Sequence, residues 1–126
     1  MAAASIAFEA PEVSFQPRPS GARPIDLVHL ARQTGGDKAL ETEVLALFAR
    51  QAREAVTRLG ALDATERSAL AHRLAGAAKG VGAFEVARFA GELEAKPRNA
   101  AVVAAFTKAV VEVDNFIVGL TRSSSA

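Results

Sequence analysis

From Asp37 to Leu59, apolar residues at Leu40, Val44, Leu47, Phe48, Ala52, Ala55, Val56 and Leu59 recur at intervals of three and four. Glu41, Glu43, Arg50, Arg53, Glu54 and Arg58 fall mostly elsewhere. That period predicts a long amphipathic helix closed by Gly60. Asp63-Ala64-Thr65-Glu66 has the form of a capping box, an acidic cap with Glu three residues on, and should open a third helix running to about Val81 and ending at Gly82. A fourth, from Ala83 to about Lys96, should bury some of Phe84, Val86, Ala87, Phe89, Ala90 and Leu93 before Pro97 stops it. Asn99 can cap the last. There Val102, Val103, Phe106, Ala109, Val110, Val113, Phe116, Ile117 and Leu120 form a stripe of about 20 residues, too long for a strand despite the valines. Ahead of these, a short helix is expected to start near Pro24 and stop at Gly35-Gly36. Short connections make antiparallel neighbours, so the expected fold is all-α: an up-down four-helix bundle with a short extra N-terminal helix, over residues 23–122. Residues 1–22, with Pro11, Pro17, Pro19, Ser20 and Gly21, read as a flexible arm whose Phe8 and Phe15 could dock on the domain, and 123–126 as a disordered tail.

Composition narrows the class. A chain of 126 residues is long enough for one core. Fifteen Lys+Arg against fourteen Asp+Glu leave a net charge of +1, with no basic tract to bind nucleic acid. The absence of Cys removes disulfides, thiolate zinc sites and cysteine nucleophiles. "MAAASIAFEAPEVSFQPRPSG" lacks the basic start and apolar core of a secretory signal, and no later run of about 18 apolar residues could span a membrane. A cytoplasmic protein is expected.

The candidate chemistry lies in "AHRLAGAAKGVG", residues 71–82. At about 100° per residue with His72 at zero, Leu70, Leu74, Ala77 and Val81 fall between about 140° and 200°, which points the histidine to solvent. Ser68, Ala69, Ala75, Gly76 and Lys79 lie within about 60° of it, and Gly80 a little further round. A solvated helix face normally carries Lys, Glu, Arg and Gln. Gly76 and Gly80 together give up about 2 kcal/mol of helix stability against alanine. A bare surface around an exposed imidazole would let another protein bring a reactive group up to it. Lys79, two turns along on the same face and about 10.5 Å in rise, can reach back towards the ring. An imidazole nucleophile beside an ammonium suits phosphoryl transfer, with the cation neutralising phosphoryl oxygens.

The segment His72 to Glu94, "HRLAGAAKGVGAFEVARFAGELE", resembles the signature of histidine-containing phosphotransfer (HPt) domains. In that signature His-x-Leu-x-Gly is followed by small residues, a Val/Ile-Gly-Ala turn and an apolar helix ending in Leu-Glu. The resemblance implies a phosphocarrier that relays a phosphoryl group between receiver-domain aspartates in a multistep two-component phosphorelay. It implies His72 as phospho-acceptor, Gly76 as the small residue beside it and Gly82-Ala83 as the turn into the next helix. The partners implied are receiver domains of response regulators or hybrid histidine kinases, meeting a monomeric carrier at Ser68, Ala69, Arg73, Ala75, Gly76 and Gly80. No ATP site, metal or cofactor is expected on this chain; Mg²⁺ is expected on the receiver. The sequence departs from the family at Ala75, where many members have lysine, and Lys79 is the expected substitute.

Other readings fare worse. His29 sits among bulky neighbours, as a partly buried structural residue would. "GAAKGVG" does not match a phosphate-binding GxxxxGK[ST] loop. Arg50, Arg53, Arg58 and Arg67 read as solvated faces, and Arg73 and Arg88 as a basic flank for an acidic receiver rim. Two rivals remain: a non-catalytic adaptor that keeps the bundle and binds receivers without phosphotransfer, and a histidine-kinase dimerisation fragment. In the second, an acidic residue normally follows the histidine, and here Arg73 follows it.

Overall fold

The computed structural model describes residues 23–125; the arm read over residues 1–22 lies outside the described residues, as does Ala126. It is all-helical: α1 (Leu27–Thr34), α2 (Lys38–Arg58), α3 (Ala64–Val81), α4 (Phe84–Ala95) and α5 (Ala100–Ser125), with a 3₁₀ turn at Leu59–Ala61 after α2. The last four form the bundle, each packing on its neighbour in sequence and α5 closing on α2, while α1 leans on α2 and α3.

Capping explains most helix ends. Asp37 accepts from the Leu40 N–H and Asn99 from the Val102 N–H, and the box at Asp63 and Glu66 is reciprocal. Helix α1 starts later than expected. Its cap is Asp26, which accepts from the His29 N–H, so Pro24 stands outside the first turn. Helix α2 ends in the 3₁₀ turn around Gly60 instead of stopping there, and α5 continues to Ser125, into the stretch read as a tail.

The core is one cluster, with Phe48, Phe106, Ile25, Leu30, Leu93, Val86 and Val113 its largest fully buried side chains. The expected α4 set buries Val86, Ala87, Ala90 and Leu93, while Phe84 is 46% exposed at the start of the helix. Two leucines of the expected α2 stripe are also outside: Leu40 is 40% and Leu47 49% exposed. With Ala52 at the centre of the buried sector, both sit more than about 100° round the helix, and Leu45 and Ala49 take the core positions instead.

Two arginines read as solvated faces make specific bonds. Arg53 pairs with Asp114 of α5 at 2.7 Å. Arg67 is half-buried and donates to the carbonyls of Leu59, at 3.0 Å, and Pro97, at 2.9 Å. It thereby ties the α2–α3 connection to the α4–α5 connection.

Candidate functional site

His72 stands midway along α3 with its side chain 74% exposed. Behind it the helix buries Ala71, Leu74, Ala78 and Val81 and leaves Leu70 and Ala77 half-buried. The core sector is therefore turned by roughly 50° from the expected position, away from α2 and towards α4. The cause is the tight α3–α4 hairpin. Gly82 adopts φ +83°, its N–H bonds back to the carbonyls of Ala78 and Lys79, and Ala83 N–H reaches Ala78 O at 2.8 Å.

The hairpin brings up a residue that the motif alone does not place in the site. The Glu94 carboxylate meets His72 Nδ1 at 3.1 Å through Oε2 and 3.3 Å through Oε1. An ionised carboxylate only accepts, so this contact requires the hydrogen on Nδ1. Nε2, the nitrogen carrying the free lone pair, has no partner among the described residues. The signal was available in the spacing: His72 and Glu94 each lie eleven residues from Ala83, which sets them at equal height in an antiparallel hairpin. Ser68 serves the same contact, its hydroxyl donating to the Glu94 carbonyl at 2.7 Å.

The glycines beside the histidine are not there for helix packing. A Cβ built at Gly76 or Gly80 would meet nothing within 4 Å. Alanine at either place should therefore raise stability by about 0.5–1 kcal/mol, as read by urea unfolding. A loss of stability in both would show that the bundle needs the missing Cβ atoms.

A bundle of this order, with one exposed histidine held by a carboxylate midway along its third helix, agrees with the family comparison. The Hpt domain model matches residues 43–116, which takes in α3 and α4 whole and most of α2 and α5. The chain belongs to the Hpt domain family. No curated protein and no solved structure matches it. An Hpt domain is a phosphotransfer intermediate of a phosphorelay and lacks the kinase domains.

In this Hpt domain the remaining site residues are distributed unevenly. Ala69, Arg73, Gly76, Lys79 and Gly80 are exposed, whereas Ser68 and Ala75 are half-buried and Ala75 packs against the core. Lys79 makes no ion pair among the described residues, which leaves its ammonium open to solvent on the exposed side of α3. Arg73 turns to the α2 side, lining a cleft of about 270 Å³ with Gln51, Glu54, Arg58 and the apolar floor of Ala55, Leu70 and Leu74. Arg88 is committed to its own helix, lying 4.7 Å from the centre of the Phe89 ring and 3.4 Å from Glu85. His29 is half-buried, edge-on to the Phe84 ring at 5.2 Å. Among the described residues no cluster of His, Cys, Asp or Glu could hold a metal ion, and no helix is long and apolar enough to cross a membrane.

Proposed function

We propose that this Hpt domain is a histidine phosphocarrier that exchanges phosphate with aspartates of receiver domains, His72 being the acceptor. The observation that carries this reading is the single contact at Nδ1. It supports an imidazole with one nitrogen engaged and the other turned to a partner, on a face cleared of bulk.

The chemistry follows from the ring. Nε2 attacks the phosphorus of the receiver's acyl phosphate in line, forming an N–P bond as the P–O bond breaks, and the aspartate departs as carboxylate. Glu94 holds the ring so that this lone pair is directed outward. Lys79 steadies the transferred oxygens, a modest contribution because it is exposed and screened by salt. The Mg²⁺ ion belongs to the receiver and would balance phosphoryl charge from that side.

Gly76, Gly80, Ala69 and Arg73 form the docking surface in this reading. Gly76→Gln should weaken receiver binding several-fold while leaving the melting transition in place. Unchanged transfer rates from a phosphorylated receiver would remove Gly76 from the docking surface. Ala75→Glu is a poorer probe because Ala75 packs on the core.

The alanine at position 75 favours one other reading, an adaptor that binds receivers without taking phosphate. The experiment that decides is a panel of phosphorylated receivers mixed with the full chain. Acid-labile phosphate on the wild type supports the carrier, and binding without phosphate supports the adaptor. Labelling by ATP alone would overturn both.

A further inference from the structure

On the reading that His72 carries phosphate, the geometry points to Glu94 as the residue that sets where the phosphoryl group comes to rest. It acts through the ring and touches no substrate, so it is a positioning residue with an electrostatic effect. When Nε2 forms its bond to phosphorus, the leaving carboxylate takes the bonding pair of the P–O bond and Nδ1 keeps its hydrogen. The imidazole therefore gains a positive charge in the loaded state that it lacks in the free one.

The Glu94 carboxylate is 3.1 Å from that Nδ1. Its contact with the ring is ion to dipole before transfer and ion to ion after it, so it favours the loaded carrier over the free carrier and the receiver's acyl phosphate. In the return step Nδ1–H lets the ring depart as neutral imidazole, so the same contact keeps transfer reversible. The phosphoryl group's own negative charge opposes the effect, but it sits beyond the far ring nitrogen, on the exposed face shared with Lys79. The clamp role alone does not require a carboxylate, because an amide oxygen on the same backbone, which Ser68 fastens to α3, would also accept from Nδ1–H.

Both partners are open to water, His72 at 74% and Glu94 at 42%, so the effect is modest: about two- to fivefold in the partition of phosphate. The test uses the full chain, wild type and Glu94→Gln, charged with phosphoramidate and then equilibrated with a Mg²⁺-loaded receiver domain that exchanges phosphate with the wild type. Glutamine keeps the size and an accepting oxygen and removes only the charge.

The expected result is a ratio of His72 phosphate to receiver phosphate about two- to fivefold lower in Glu94→Gln, the gap closing at about 0.5 M salt. The melting temperature should not change. An unchanged ratio, or a gap indifferent to salt, overturns the assignment to Glu94 while leaving the carrier intact. A wild-type chain that takes no phosphate on His72 from phosphoramidate or from any receiver is a distinct outcome: it overturns the carrier reading and this assignment with it.

Discussion

His72→Gln should take no phosphate from any phosphorylated receiver, and its helices should melt close to where those of the wild type do. The first half follows from the chemistry, since a carboxamide offers no nucleophile to phosphorus; the expected fall in transfer is at least about a thousandfold, the scale on which removing a catalytic nucleophile acts. The second half follows from placement. The side chain is 74% exposed, and its pairing with Glu94 is screened by solvent and worth at most about 1 kcal/mol. Acid-labile phosphate on the variant after mixing with a phosphorylated receiver would transfer the acceptor role to another residue. A collapse of the melting transition would make His72 structural.

Gly82→Ala acts on stability instead, and strongly. The backbone there has φ +83°, a conformation that costs a residue with a Cβ about 1–2 kcal/mol. The added carbon would also stand 2.9 Å from the carbonyl oxygen of Asp26 and 3.3 Å from its Cβ. Asp26 cannot simply retreat: its N–H donates to Gly82 O at 2.9 Å, and its side chain caps α1. A total loss of about 2–4 kcal/mol is expected, lowering the melting temperature by on the order of 10 °C. Because the hairpin aligns His72 with Glu94, phosphate uptake should fall as well. A variant as stable as the wild type would mean that the turn can be remade without its left-handed residue.

What could be read from the chain was whatever the chain decides locally. The Asp63–Glu66 box, the turn at Gly82 and the outward position of His72 all depend on residues within two or three turns of each other, and all stand in the structure. The errors are long-range ones. Leu40 and Leu47 satisfy a helical period but lie on the flank of the sector that α2 buries, which is set by the neighbouring helices. Arg67 looks like any surface arginine until the carbonyl of Pro97, thirty residues on, comes within 2.9 Å. Pro24 had a plausible place in a first turn, but the chain there is held by Gly82 and capped by Asp26. Glu94 ends the motif, and only its spacing from Ala83, equal to that of His72, points to the site once α4 is folded back along α3.

The equal spacing of His72 and Glu94 about Ala83 makes the site sensitive to length as well as to composition. Adding or deleting one residue within α4 would swing Glu94 by about 100° and slide it by about 1.5 Å, removing the carboxylate from the imidazole. The same change would rotate Leu93, its neighbour and 1% exposed, out of the core. Point substitutions on the exposed face of α3 leave this alignment in place, while single-residue insertions and deletions in the hairpin damage packing and the His72–Glu94 contact together. The phase of this one helix is protected by the stability of the domain, which requires no separate selection on the histidine's partner to preserve its alignment.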